Sequence, residues 1–428
     1  MPQKLTFLLR RLTRQTWWRC ALFSLFALAA VGISVLLGPY IPDDVAVDLG
    51  ADSLEGVLNI LAASMLTVAI FSASTMVSAF ASVGGSATPR ASQLLIEDAT
   101  IQNSLATFIG AFLYSVIALI GVNAHIYGDG GRLVLFVSTL GILVLVVVVL
   151  LRWIDYLTGL GRMGETIRRV EQATQLAMTQ RLENPHLGAQ AQPRDMATEP
   201  HRIHAKHVGH VQHVAMDVLQ ATAQRLGSRL HLHVLPGTFV EPSVVLVSCT
   251  QPLDDDARRA VQGAITVGAG RTFDHDPRFG LVVLAEIAAR ALSPGINDPG
   301  TAQAVMVAGV NTLVYWARVQ QQQTAQRQPT DAPVQYPQVT APALREAGLV
   351  EDLFAPIARY GAGAVEVGVA LQAALGSVQR SGHTVLGEAA QAMSAYALAH
   401  AKHTQVMDAD LHTLQAAAHR LNSAAATP

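Results

Sequence analysis

Charge is what this sequence has least of: 14% of its 428 residues are Asp, Glu, Lys or Arg, against roughly 25% in ordinary soluble proteins. With 51% hydrophobic residues, that scarcity excludes a chain that faces water throughout. The apolar residues concentrate in the first third, so one part belongs in a membrane and another in water. A formal net charge of -2 leaves no basic surplus, which excludes nucleic acid as an electrostatic partner. Cysteine is equally scarce. Cys20 and Cys249 stand far apart, so no disulfide framework is implied and the soluble part is expected in the cytoplasm. Signatures of catalysis are missing too: no nucleophile elbow, phosphate-binding glycine loop, zincin helix or paired cysteine ligands.

What is present begins with four apolar stretches, near residues 20–38, 57–83, 104–124 and 133–155. Each approaches or reaches the roughly 20 residues that cross a hydrocarbon core as a helix. The first follows Lys4, Arg10, Arg11, Arg14 and Arg19, and its "LFALAA" imitates a cleaved signal; three further spans favour a retained helix. Those basic residues, Arg90, and Arg152, Arg162, Arg168 and Arg169 fall on one side, while Asp43, Asp44, Asp48, Asp52 and Glu55 fall on the other with Asp129 and a lone Arg132. Under the positive-inside rule both termini are cytoplasmic. Trp17, Trp18, Tyr40, Trp153 and Tyr156 read as headgroup anchors at the span ends.

In the second span Ser64, Thr67, Ser74, Thr75, Ser78 and Ser82 share one helical face, with Ser72 off it. Two readings stay open: a face lining a watery path, where hydroxyls replace ion hydration, or close packing through small residues. In the third span Ala106, Gly110, Ala111, Tyr114 and Ser115 suit tight helix contact. Glu55 and Asp155 stand at span ends, so the midplane carboxylate of a pump is missing. Between these spans, the segment from Thr88 and Pro89 reads either as a short amphipathic helix on the cytoplasmic surface or as a solvated loop.

The expected fold class is a four-helix transmembrane domain (1–158), then a cytoplasmic α+β domain. Its parts are a helical extension and linker (159–200), a small β-containing module (201–252) and a mostly helical region (253–428) with a loop near 320–342. The extension "GRMGETIRRVEQATQLAMTQRLE" reads as a continuation of the fourth span, stopping at Asn184 and Pro185. The module reads as strand, amphipathic helix, strand, turn at Pro236 and Gly237, then further strands. The apolar run 361–378 is broken by Glu366 and Gln372 and reads as a buried soluble or oligomer-contact helix.

Two groups of residues invite chemistry. His201, His204, His207, His210 and His213 recur every three residues, a period that matches neither a strand nor one helix face; His231 and His233 share a face if "RLHLHVL" is a strand. Metal candidates are His207, His210, His231 and His233, but without an HxxxH pair or CxxC no cofactor is expected. Arg271, Asp274, Asp276, Asn297 and Asp298 are the ligand or interface candidates. A helix over 279–292 separates them by about 20 Å. Asp274 or Asp276 is placed to cap that helix, and Asn297 or Asp298 the next.

The segments "TPRASQLLIEDATIQNSLATFIGAFLYS", "VLPGTFVEP" and "VGAGRTFDHDPRFGLVVLAEIAARALSPGINDPGTA", behind four spans, resemble a bacterial predicted membrane protein family, domain-of-unknown-function family 2254. The resemblance runs from about residue 10 to 420 and implies a multi-pass bacterial inner-membrane protein, with no known reaction or cofactor. His210 stands where that family usually has an aromatic residue, so the histidine group looks particular to this chain. Lipid and further copies of itself are the expected partners. The sequence favours a homo-oligomeric channel or channel-like transporter with a cytoplasmic regulatory domain; a membrane-anchored scaffold or sensor is the alternative, and a metal-dependent hydrolase comes last.

Overall fold

The computed structural model describes residues 16–37, 40, 51–96, 98–192, 200–326, 334–404 and 407–424. Lys4, Arg10, Arg11, Arg14, Asp43, Asp44 and Asp48 of the orientation argument lie outside them. The chain divides into two compact units, Leu8–Gly85 with Pro89–Arg162, and Met163–Pro428 with Ser86–Thr88.

The first unit holds α1 (Thr16–Leu37), α2 (Ala51–Ser86), the short α3 (Pro89–Ile96), α4 (Ala99–Asn123) and α5 (Asp129–Gly159). Among the described residues, four helices are long and apolar enough to cross a membrane: Trp17–Leu37, Ser53–Ser86, Ala99–Asn123 and Gly130–Gly159. α4 is the central one. Its Ala106, Phe108, Tyr114, Ser115 and Ala118 are buried, and Gly110 lets it press against Phe23 of α1, 3.3 Å from where a side chain would begin. The Tyr114 hydroxyl lies 2.7 Å from Ser138 Oγ and 2.9 Å from Thr139 Oγ1 on α5, so the buried phenol is satisfied inside the bundle. Asp98 starts α4 by accepting from Thr100 N at 2.7 Å.

Two readings of this region change. Trp153 is not a headgroup anchor: it is 2% exposed, stacked on Tyr156 and packed among Ile101, Leu105 and Phe108, because its position falls on the inward face of α5. Nor does the fourth span continue unbroken. α5 ends at Gly159, and Gly161 takes φ +82 before α6 (Met163–Glu183) begins, a conformation that glycine adopts without steric cost.

The second unit joins two sheets to a helical layer. After α6 come β1 (Ala189–Ala191), β2 (His201–His204), β3 (Gly209–Val214), α7 (Met216–Leu226), β4 (Leu230–Leu232), β5 (Phe239–Val240), β6 (Val245–Cys249), α8 (Asp255–Ala264) and β7 (Ile265–Gly268). Then follow α9 (Pro277–Ala291), α10 (Pro299–Gln326), β8 (Tyr336–Ala341), α11 (Ala347–Tyr360), α12 (Val365–Gln379), α13 (Thr384–His403) and α14 (Asp408–Ala424). One sheet runs β1-β8-β4-β6-β2 and the other β5-β3-β7. In this unit β3 pairs antiparallel with β7, and β4 antiparallel with β6, so the two strands that flank α7 belong to different sheets. Ile203, Val211, Leu219, Leu230, Leu232, Val247 and Val339 form its core.

The β region is therefore larger than 201–252, since β1, β7 and β8 flank it in sequence and join its sheets. Part of the loop read over 320–342 is structured: α10 reaches Gln326 and β8 occupies Tyr336–Ala341, with 327–333 outside the described residues. A strand inserted between two distant partners has no local periodic signal beyond its own six residues. The helical layer is built around α9, whose Phe279, Leu281, Val283, Leu284 and Ile287 are buried against α6, α10 and α11. Gly280 is required there because a β-carbon would collide with Thr174 of α6.

Candidate functional site

The loop 269–276 brings together three of the candidate residues at the start of α9. Asp276 is 3% exposed; its Oδ1 accepts from Arg278 N at 3.1 Å and its Oδ2 from Arg271 Nε at 2.7 Å. It therefore caps the helix and holds an ion pair at once. Its carboxylate also lies against the Pro236–Gly237 turn, where Gly237 has φ +94 and a side chain would strike Asp276. The "VLPGTF" turn and the "DHDPR" loop thus form one surface. Arg271 further sits 5.3 Å from the Phe279 ring centroid, and Arg278 reaches Asp352 of α11 through two bonds of 2.6 and 2.9 Å. Those bonds raise the Arg278 pKa above its usual value.

Sequence reasoning missed the residue that completes this cluster. Arg181, near the end of α6, is 6% exposed and donates through Nη2 to the His275 carbonyl at 3.2 Å. Its Nη1 meets no acceptor among the described residues. Burial pushes the guanidinium down to about 10, opposed by the nearby Asp276 charge. Beside it the His213 and His275 rings lie 5.0 Å apart. Burial, and then His275, push His213 down to about 4, while Asp217 and Asp274 pull the other way. His213 is neutral at physiological pH. Asp274 is half-buried at the edge of this group. The cluster ties α6, α9, α11 and the β5-β3-β7 sheet region together through charges that balance locally. The one signal for Arg181 in the sequence is an arginine on the apolar spacing of α6, in line with the buried Val170, Thr174 and Ala177.

The other end of α9 is built differently. Asn297 adopts φ +49, Asp298 N returns to Ala291 O at 2.8 Å, and the Asp298 carboxylate accepts from Thr301 N at 3.0 Å and Thr301 Oγ1 at 2.6 Å. Residues 294–298 are all exposed. The 15 residues of α9 hold the two junctions about 21 Å apart at 1.5 Å per residue. Arg271, Asp274 and Asp276 meet at one end; Asn297 and Asp298 stand at the other.

The histidines divide between the two sheets. His201 and His204 lie on β2, His210 and His213 on β3. His207 is exposed between them. His210 packs edge-on against Phe239, centroids 5.4 Å apart. His231 Nδ1 lies 2.7 Å from Thr340 Oγ1, and His233 Nε2 lies 2.8 Å from Ser248 Oγ. Burial, then His231 and Arg202, lower the His233 pKa. Among the described residues no three His, Cys, Asp or Glu side chains are placed to hold one metal ion.

In the membrane unit, α2 turns Leu54, Leu58, Leu61, Met65, Ala69, Ser72, Ala79 and Val83 inward at helical spacing. Ser64, Thr67, Ser74, Ser78 and Ser82 are exposed and Thr75 half-buried. Ser72 falls off the stripe because it belongs to the inward face. Thr67 Oγ1 donates to Ala63 O and Thr75 Oγ1 to Phe71 O, each at 2.9 Å.

A further polar group had no sequence signal beyond a helix start after "SGH". A surface cavity of about 540 Å³ is lined by Gln320, Thr324, Glu346, His383 and their neighbours. Glu346 Oε1 accepts from Trp316 Nε1 at 3.2 Å and Gln320 Nε2 at 2.9 Å, and Oε2 lies 3.4 Å from His383 Nε2.

Comparison with known proteins agrees with the membrane unit. An uncharacterized protein of Mycobacterium bovis is 27% identical over 261 residues, covering 58% of this chain and 49% of its own length. An uncharacterized protein of Mycobacterium tuberculosis matches at the same 27% over 261 residues, with the same 58% and 49% coverage. The chain thus spans about half the length of the curated relatives it matches. No solved structure matches. Residues 13–377, which include all four candidate spans and both junctions of α9, match the family described as predicted membrane protein (DUF2254), and the chain belongs to that family.

Proposed function

We propose that the protein is a homo-oligomeric channel or channel-like transporter of the bacterial inner membrane, with both termini and residues 163–428 in the cytoplasm as a regulatory part. The outward face of α2 carries this reading. α1 turns Leu22, Leu25, Phe26 and Leu28 outward and α5 turns Val137, Leu140, Val144, Val147, Val148 and Leu151 outward, all of them apolar. α2 also turns Ile60, Ile70, Phe71 and Val77 outward, but among them it exposes hydroxyls from Ser64 to Ser82, over about 27 Å at 1.5 Å per residue, close to the roughly 30 Å of the hydrocarbon core. Hydroxyl faces are disfavoured against lipid and favoured against another helix or water. Thr67 and Thr75 give their protons to their own helix, which leaves oxygen lone pairs able to accept, as a passing cation requires. Arg90, Arg152 and Arg162 beside the span ends support the orientation.

The test is flux through the purified full chain in liposomes. Cysteine at Thr67 or Ser74, in a background without Cys20 and Cys249, is expected to make cation flux sensitive to a water-soluble thiol reagent, whereas Val144→Cys is not. Absence of ion flux under voltage, pH and osmotic challenge overturns the proposal. Ser74→Cys cross-links between copies without flux would instead support a sealed scaffold.

A further inference from the structure

We infer that the cavity between α10 and the start of α13 binds a small ligand through a protonated amine, with Glu346 as its counter-charge. The cavity measures about 540 Å³ and is lined by Gln320, Gln321, Thr324, Ala325, Glu346 and residues 382–385. That volume is in the range of small-molecule sites, in which a few placed polar groups fix the orientation of the ligand.

The sign of the ligand follows from the charged side chains of the wall. The His383 Nδ1 accepts from Leu386 N at 3.3 Å, capping α13, and its Nε2 lies against Gln320 Oε1. Glu346 is 17% exposed and is the one carboxylate in the wall. Its Oε1 accepts from Trp316 and Gln320, and Oε2 faces His383 Nε2 at 3.4 Å. Among the lining residues there is no lysine or arginine, which disfavours phosphates and carboxylates. The positive end of α13 is worth about half an elementary charge and is partly met by the His383 cap, so the formal charge of Glu346 prevails.

A divalent metal fits less well than an ammonium group. Such ions draw several oxygen ligands with more than one carboxylate, and Glu346 is the one carboxylate in the wall. An ammonium needs one charged acceptor and neutral oxygens, which Thr324 and the side-chain amides of Gln320 and Gln321 offer. Trp316 is 2% exposed and bonded to Glu346, so it is a built-in reporter.

The experiment titrates the full-length protein in detergent with 1,4-diaminobutane, following tryptophan fluorescence and calorimetric heat. Saturable binding is expected, weakened by about tenfold to a hundredfold in Glu346→Gln, the loss typical of a charge-assisted bond. Ala325→Phe, which narrows the cavity and leaves the charge in place, is expected to weaken it as well. Unchanged thermal unfolding of both variants shows that they fold. Absence of saturable binding overturns the inference, as does diamine binding indifferent to Glu346→Gln, or inorganic phosphate binding more tightly than the diamine. No flux is measured, so the result stands apart from the channel reading.

Discussion

The two ends of α9 carry the same local code and acquire different physics. At each, an aspartate precedes a proline, Asp276 before Pro277 and Asp298 before Pro299, and accepts hydrogen bonds from the first turn of the following helix. Asp276 is 3% exposed and shared between Arg271 and the Arg278 backbone, near the buried Arg181. Asp298 is exposed and bonded to Thr301, an arrangement that lowers its pKa. Capping is set by a few neighbours in sequence, whereas the cost of removing a charge is set by how much water is left around it. One junction anchors a buried charge network; the other is a turn on the surface.

The comparison breaks first at Asp276. Asp276→Asn leaves the buried Arg181 and the half-buried Arg271 without the nearby Asp276 charge, and a loss of about 3–5 kcal/mol is expected for breaking a buried pair. Hydrogen exchange of the amides at the start of α9 would read it. Protection equal to wild type would make the network dispensable.

Acid tests the same end. The unfolded His213 takes up a proton near 6.5, while the folded side chain resists until about 4. The unfolded state therefore binds more protons in that window, and stability falls as pH drops through it. Thermal unfolding in detergent from pH 7.5 to 4 should show a slope that His213→Gln flattens. An equal slope in the variant would assign the acid sensitivity elsewhere.

At the exposed end the expected effect is smallest. Asp298→Ala removes a solvent-facing cap, for which about 1 kcal/mol is typical, and should speed exchange at the first turn of α10 while leaving α9 unchanged. A loss matching that of Asp276→Asn would show that the surface junction is covered in the assembled protein.

Much of this was legible in the sequence because it is local. The four spans show as apolar runs, the strands of residues 207–250 as alternation, and the Asp-Pro starts of α9 and α10 as caps. The period-three histidines could be seen not to converge, and the structure gives the reason in two strands of different sheets. Arg181 was not legible, since nothing within a helical turn of it reveals that it faces His275, far along the chain. Glu346 and His383 were silent for the same reason: they meet through Gln320 of a third element.

The sequence by itself determined where the four apolar spans lie and which Asp-Pro junctions start helices, because hydrophobic run length, capping and turn chemistry act over a few residues. The tertiary structure alone decided which face of α2 carries its hydroxyls outward, that β1 and β8 complete the larger sheet, and that of two similar Asp-Pro junctions one is buried. Those outcomes depend on which distant surfaces exclude water from each other, and no local pattern encodes that.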